Sequence, residues 1–467
     1  MPKQSNPAPS KAPRPLNTLL VSLSLFLTIA ALGIALVMER PIYLGLVFGY
    51  ALFMGLALYA GYDIHRLMNA ALQSVHKVRK VLMMLALVGL IIPLWMQTGV
   101  LATLMAYSID AFSGFNLAVA AFLSSVIISM ILGSGIGTTS TVGLVFIAIA
   151  RSAGLNEALI VGAVVSGAYF GDRTSPVSSN FNLVAEITGT DLRQNLVYML
   201  SSTLPVFIMT TTFYAFAGAG ATETQLESLG SLRILLDQNF NIAFMQLVPP
   251  AIMLFFVLVL RQNMVISLAA AFILSIGSGL MGSGFEWMPL ITGLNPSGAL
   301  GGLLSGGGLI SMMNALLIIL ISAMLNGVFE ITRCLEPLLD RVSRNLTTLG
   351  RLIFSTGLIS LLVSLVSGNQ TMTTLITGTY YKDRYDALDV DRQVLARTIC
   401  DTGVVSVPLI PWNINGILVA TVTGVSTVSY LPYALNSWLP TLMTLFFVWR
   451  GMKVKTGKHM AAPALFR

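Results

Sequence analysis

Apolar runs of about 20 residues recur along this chain, and they leave it few ways to fold. Leu16–Val37, Tyr43–Ala60, Val81–Leu104, Leu196–Phe216, Ile242–Leu260 and Leu431–Trp449 are each near that length. Backbone in hydrocarbon must satisfy its own N–H and C=O groups, which a helix does within one segment. Hydrophobic residues make up 55% of the chain and charged residues 10%, against roughly a quarter charged in soluble proteins. An all-α polytopic membrane protein is expected. The first run is longer than a signal-peptide core and lacks a small-residue cleavage pattern, so it is expected to stay as a helix.

The net charge of +7 is not a nucleic-acid signal, because the basic residues sit in loops, where they set orientation. Lys3, Lys11 and Arg14 precede the first run, and Arg66, Lys77, Arg79 and Lys80 follow the second. Arg333, Arg341, Arg344 and Arg351 form a third cluster, and Arg450, Lys453, Lys455 and Lys458 a fourth. All four are expected on the cytoplasmic side, and both termini with them. The 218–232 stretch carries Glu223 and Glu227 without Lys or Arg and is expected to be an external loop. Two cysteines, Cys334 and Cys400, make no disulfide framework.

Two polar, proline-punctuated segments, 171–205 and 401–440, echo each other. From Pro176 and Pro411 onward they register without a gap at an offset of 235 residues. Asn180 falls on Asn415, Thr188-Gly189 on Thr423-Gly424, and the Tyr198…Pro205 run on Tyr433…Pro440. Met96-Gln-Thr-Gly-Val100 likewise resembles Met324-Leu-Asn-Gly-Val328. The first of these lies in a helix leaving a basic cluster and the second in a helix entering one, so the equivalents run in opposite senses. That predicts inverted-topology repeats with broken helices and re-entrant hairpins. The expected organisation is an N-terminal tail, two leading helices and a basic loop (1–80), a first repeat (81–217), an external loop, linking helices and a Gly-rich loop (218–308), an inverted second repeat (309–450), and a basic tail (451–467). Segments 138–150 and 370–381 are short for a full span.

A further echo pairs Ser134–Thr141 with Ser367–Thr374 as S-G-x-x-T-x-[ST]-T, which aligns Thr138 with Thr371. Small hydroxyl residues can line a polar cavity or simply let helices pack closely. The same packing logic applies to Ala163, Gly167 and Gly171, spaced by four and expected to be a packing strip.

Asp172 and Asp401 occupy loosely equivalent places in the two segments. A carboxylate in hydrocarbon costs at least ~2.5 kcal/mol and usually marks a cavity or a partner. One such group holds a proton or a metal cation in turn, which is the basis of cation/proton exchange. The alternatives are a pairing of Asp172 with Arg173, a pairing of Asp401 with Arg397, or helix caps. Asn180, Asn182, Asn413 and Asn415 offer neutral oxygens, or satisfy backbone groups freed by the breaks. Glu330, near Arg333, is expected to snorkel to the interface.

Other chemistries lack their residues. His65, His76 and His459 lie in polar loops or the tail; no zinc spacing, Cys–His dyad or Walker lysine motif is present, and Gly133-x-Gly-x-Gly137 lacks a dinucleotide-loop context. Neither an enzyme nor a resident cofactor is expected, and a non-transporting scaffold would not need duplicated polar breaks.

Gly171-Asp-Arg-Thr-Ser-Pro-Val-Ser178 with Asn182-Leu183, Asp401-Thr-Gly with Pro408-Leu-Ile-Pro-Trp-Asn413, and Pro432-Tyr433 together resemble the motifs of NhaC-type Na⁺/H⁺ antiporters. Ser179 stands where many members carry an acidic residue, and Ile414 where Thr is frequent. The resemblance implies a bacterial inner-membrane antiporter that exchanges Na⁺ for H⁺ by alternating access. Asp172 and Asp401 would bind cation or proton, with Ser175, Ser178, Asn180, Asn182, Asn413, Asn415, Thr138 and Thr371 as neutral ligands, and Na⁺ itself at Asp172, Asp401, Asn180 and Asn413. Family relatives exchange malate for lactate, so a Na⁺-coupled organic-acid or amino-acid carrier stays open. Membrane lipid, Na⁺ and H⁺ are the implied partners, with a homodimer open and nucleic acid excluded.

Overall fold

The computed structural model describes residues 16–112, 116–152, 154–218, 223–260, 262, 264–281, 285–294, 307–342, 346 and 348–449. Among them there is no strand. The helices are α1 (Thr18–Val37), α2 (Tyr43–Tyr59), α3 (Ile64–Gln97), α4 (Val100–Phe112), α5 (Leu117–Leu132), α6 (Gly135–Ser152), α7 (Glu157–Thr174), α8 (Ser179–Thr188), α9 (Leu192–Ala217) and α10 (Glu223–Asn239). They continue as α11 (Val248–Leu258), α12 (Met264–Met281), α13 (Met288–Thr292), α14 (Met313–Thr332), α15 (Glu336–Val342), α16 (Leu349–Ser367) and α17 (Gln370–Ala387). The last are α18 (Arg392–Ile399), α19 (Ile414–Thr423), α20 (Thr427–Tyr430) and α21 (Leu435–Trp449). The segments α1, α3, α9, Ile310–Thr332 and α16 are long and apolar enough to cross a membrane, and α2, α5, α6, α12 and α21 supply shorter apolar helices. This is a multi-pass membrane protein.

The stretch expected as an external loop, 218–232, is helical from Glu223 onward in α10. Leu229, Leu232 and Leu236 recur at intervals of three and four, a helical period that its acidic charge obscured. Residues 219–222, most of the Gly-rich linker (295–306), Arg344, the N-terminal 1–15 and the basic tail from 450 lie outside the described residues.

The chain divides into two compact units, one of residues up to 79 with 317–345, the other of 80–316 with 346 onward. In the first unit Gly49 lets α2 close on α1, where a Cβ would meet Thr28 Cγ2 at 2.4 Å. The ring of Phe53 stands edge-on to Phe329 at 4.7 Å. Glu330 is about half exposed and takes Lys77 as its partner at 2.7 Å rather than Arg333, which lies 3.7 Å from Glu336.

The second unit contains two like sets of helices. In each, a helical hairpin (α5–α6, α16–α17) turns at a left-handed glycine, Gly133 at φ 62° and Gly368 at φ 59°. A broken helix follows: α7, a loop and α8 in the first set; α18, an irregular stretch and α19 in the second, bent by 43°. Left-handed Gly189 and Gly424 end α8 and α19, the usual C-terminal stop. Side-chain N-caps open the helices at Asn156 and Asp391, at Ser178 and Asn413, and at Asp191 and Ser426. Every one of these pairs is separated by 235 residues. A long helix with an internal proline closes each set, Pro205 in α9 and Pro440 in α21.

The 235 offset corrects the alignment of the hairpin motif. The turn glycines are Gly133 and Gly368, so Thr138 matches Thr373, not Thr371. Thr138 and Thr373 are both fully buried, and their hydroxyls donate to the carbonyls of Ser134 and Asn369 four residues back. Thr371 lies on the exposed face. The offset also parts the aspartates: Asp172 corresponds to Val407, and Asp401 to Ser166.

Each hairpin tip rests on the break in its own set. A Cβ on Gly133 would reach Ser178 N at 2.6 Å, and the carbonyl of Gly368 accepts the N–H of Ile414 at 3.0 Å. Packing between the sets is reciprocal: α6 lies on α19 and α17 on α8, while α7 meets α21 and α18 meets α9. The expected small-residue strip is present on α7, where Gly167 and Gly171 press on α5; a Cβ would stand 2.3 Å from the Phe122 carbonyl and 2.4 Å from Ser129 Oγ.

Candidate ion-binding site

The chain is broken where the polar residues lie, and the breaks aim them inward. At the end of α7, Asp172 is 2% exposed. Its carboxylate accepts hydrogen bonds from Ser178 Oγ at 3.1 Å, from Asn180 Nδ2 at 3.0 and 3.2 Å, and from Gln370 Nε2 at 3.0 Å. The backbone of Gly135, first residue of α6, bonds it as well. Gln370 is likewise the first residue of α17. Asp172 therefore sits at the N-termini of both hairpin return helices, where backbone dipoles favour an anion. Among the described residues it has no cationic partner.

Ser178 does two things with one hydroxyl: it caps α8 by accepting Phe181 N–H at 3.3 Å and donates to Asp172. Gln370 links three groups. Its amide nitrogen reaches Asp172 and the Val404 carbonyl, each at 3.0 Å, and its oxygen accepts Asn180 Nδ2 at 2.8 Å. Gln370 falls at a variable position of the S-G-x-x-T-x-[ST]-T echo, so that pattern does not mark it. With the turn glycines aligned, it is the first polar side chain after the Gly368 turn long enough to reach the other set.

The adjacent Arg173 turns away from Asp172, as successive helix residues do. Its Nη1 donates to Asp401 Oδ1 at 2.7 Å and its Nη2 to Thr203 Oγ1 at 2.6 Å. The side chains of Arg173 and Asp401 are both 0% exposed. Asp401 lies in a single π-helical turn, Cys400–Val404, the kind of bulge that re-aims side chains at functional positions. Its other oxygen accepts Thr444 Oγ1 at 3.1 Å and stands 4.0 Å from Arg397 Nε. Arg397 lies over the rings of Tyr198 and Phe447, at 5.0 and 5.4 Å. Of the sequence alternatives, the pairing of Asp172 with Arg173 is absent among the described residues, while Asp401 does pair with Arg397 at 4.0 Å and, more closely, with Arg173 at 2.7 Å.

The remaining candidates separate by place. Ser178 and Asn180 meet Asp172. Ser175 donates to the Met130 carbonyl at 2.7 Å and ties the loop to α5. Asn182 donates to the carbonyls of Pro176 and Ser178. Thr138 donates to the Ser134 carbonyl, and Thr371 is exposed. Asn413 caps α19, and Asn415 accepts the Tyr169 hydroxyl at 2.8 Å, forming a neutral cluster one turn from Asp172. Asp172, Asp401 and Asn413 thus bond to different partners, and of the expected Na⁺ set Asn180 is the one bonded to Asp172. The chemistry around Asp172 suits a monovalent cation as cargo: a carboxylate, a hydroxyl, the Val404 carbonyl, and amide oxygens of Asn180 and Gln370 that a half-turn of each amide would present.

Two like helical sets around a buried carboxylate, with no cationic partner among the described residues, define a polytopic membrane protein with an internal polar site. The Na⁺/H⁺ antiporter family model matches residues 167–452, a span that contains both aspartates, and the chain belongs to that family. The Na⁺/H⁺ antiporter NhaC of Alkalihalophilus pseudofirmus is 30% identical over 397 residues, 82% of this chain and 84% of its own length. The malate-2H⁺/Na⁺-lactate antiporter of Bacillus subtilis is 26% identical over 451 residues, 93% of this chain and 94% of its own. An arginine/ornithine antiporter of Halobacterium salinarum is 25% identical over 440 residues, 92% of this chain and 90% of its own.

Proposed function

We propose that this protein exchanges Na⁺ for H⁺ across a bacterial inner membrane, with Asp172 as the group that carries one or the other. The observation that carries this reading is the setting of Asp172: 2% exposed, ringed by neutral donors, with no cation beside it among the described residues. An isolated ionised carboxylate away from water is costly. A proton or a metal cation each removes that cost, and one site takes one of them at a time. Membership of the family and the NhaC relatives support the choice of Na⁺ and H⁺ as cargo.

The two sets are read as inverted, with the basic clusters and both termini on the cytoplasmic side, in keeping with the positive-inside rule. Site groups come from both sets: Asp172, Ser178 and Asn180 from the first, Gln370 and the Val404 carbonyl from the second. Movement of one set against the other would open the site to alternate sides, and Gln370, bonded into both, would sense its occupancy.

The test is proton movement in proteoliposomes containing a pH-sensitive dye, with Na⁺, Li⁺ and K⁺ as drivers. Wild type should respond to Na⁺ and Asp172→Asn should not. Undiminished exchange in that variant would remove the site. A second reading, a Na⁺-coupled carrier of an organic acid or amino acid, is favoured by the malate/lactate relative, which matches more of the chain than NhaC does. Saturable, Na⁺-dependent uptake of a labelled acid would select it.

A further inference from the structure

We propose that Arg173 is a built-in counter-ion that occupies Asp401 and keeps it out of cargo binding, so that the protein takes one cation at a time. The inference rests on the reading of Asp172 as the cargo carboxylate. Two buried aspartates in one helical unit would ordinarily offer two cation sites. Here they are treated differently by their surroundings. Among the described residues Asp172 has only neutral donors around it, while Asp401 has a guanidinium at 2.7 Å with both side chains at 0% exposure.

Every oxygen of Asp401 is engaged. Oδ1 takes Arg173, Oδ2 takes Thr444 Oγ1 with Arg397 Nε at 4.0 Å, and the backbone carbonyl takes Thr441 Oγ1 at 2.9 Å. The ionisable groups about it are Arg173 on α7, Arg397 and Cys400 on its own helix, and, against Arg397, Tyr198 on α9 and Tyr385 on α17. A metal cation at Asp401 would have to displace the Arg173 guanidinium or sit beside it, and Thr203 Oγ1 holds that guanidinium from the far side at 2.6 Å. Arg173 is in effect a tethered cation that never leaves. With it removed, Asp401 would face the hydroxyls of Thr203 and Thr444, oxygens suited to a second monovalent cation, with Arg397 still 4.0 Å from Oδ2.

Equilibrium binding of radiolabelled Na⁺ to the purified full-length chain, at one fixed alkaline pH, tests this. Wild type and Arg173→Lys should bind one Na⁺ per chain, Asp172→Asn none, and Arg173→Gln two. Arg173→Gln leaves buried Asp401 with Arg397 alone, at 4.0 Å, and is at risk of misfolding. The double variant Arg173→Gln/Asp401→Asn removes both charges, carries less of that risk, and should still bind one, at Asp172. Two Na⁺ in wild type, one in a folded Arg173→Gln variant, or none in the double variant would each overturn the proposal. No binding in wild type with one Na⁺ in Arg173→Gln would refute sodium at Asp172 while keeping the role of Arg173. No binding in either would refute both.

Discussion

Arg173 Nη1 lies 2.7 Å from Asp401 Oδ1, across 228 residues of sequence, and the two side chains share no exposed surface. Breaking such a pair from one side costs more than replacing both partners, because the survivor is left charged and buried. Arg173→Ala is expected to cost about 3–5 kcal/mol of stability. Arg173→Gln/Asp401→Asn should lie within about 1–2 kcal/mol of wild type, since the hydroxyls of Thr203 and Thr444 remain as partners. Thermal unfolding in detergent checks this; equal losses in the two variants would count against a buried charge pair.

Gln370 should matter as much as the motif residues. Gln370→Leu keeps bulk but removes its hydrogen bonds to Asp172, Asn180 and Val404. Loss of bonds to a charged group is worth about 1.5–3 kcal/mol, so Na⁺ affinity should fall roughly 10- to 150-fold while the protein still purifies as a folded species. Unchanged affinity would place Gln370 outside the ion's reach.

Acid should weaken Na⁺ binding. A proton on Asp172 removes the charge that attracts Na⁺, so the apparent Kd should rise as pH falls, towards about tenfold per pH unit where the two compete one for one. Alkali should abolish the dependence once the proton is gone. Na⁺ titrations followed by intrinsic fluorescence at several pH values measure it, and a flat profile would exclude a shared site.

The glycine of the Asp401-Thr-Gly motif has a steric role. A Cβ on Gly403 would fall 2.0 Å from Ser360 Oγ and 2.5 Å from Thr373 Cγ2. Gly403→Ala should therefore push the π-helical turn off α16 and α17 and abolish transport. Adding Ser360→Ala and Thr373→Ser removes both clashing atoms and should restore a measurable part of it. No recovery would mean that the glycine serves a purpose other than close packing.

Asp191 and Ser426 are equivalent N-caps, 235 residues apart and exposed. If the sets are inverted, single cysteines at these positions should react with an impermeant thiol reagent from opposite sides of the membrane. Buried Cys334 and Cys400 should not compete. Labelling of both from one side would make the repeat parallel.

The clamps at the ends of the short helices show how far pattern alone reaches. Arg151 reaches the Thr423 carbonyl at 2.8 Å beside Gly424 and pairs with Glu157. At the equivalent end, Arg392 pairs with Asp386, and its guanidinium would stand 3.0 Å from a Cβ on Gly189. The positions repeat at 235 residues with the charges exchanged, so a search for like residues does not find them, although the architecture keeps a cation at each helix end, where the dipole favours one.

Sequence by itself determined the helical membrane class, the duplication, the broken helices and the presence of a carboxylate, Asp172, at one of the breaks. Each rests on local composition, or on residues whose chemistry is written in place: apolar length, proline, glycine and a carboxylate amid hydrocarbon. Only the tertiary structure decided the partners. Whether Arg173 neutralises its neighbour Asp172 or the distant Asp401 depends on which way a helix face points and what packs against it. Gln370 became a site residue only because two hairpin tips converge on one carboxylate. Hydrogen bonds and ion pairs reach about 3 Å, and which residues lie within that distance is set by packing between segments that the linear order keeps some 200 residues apart.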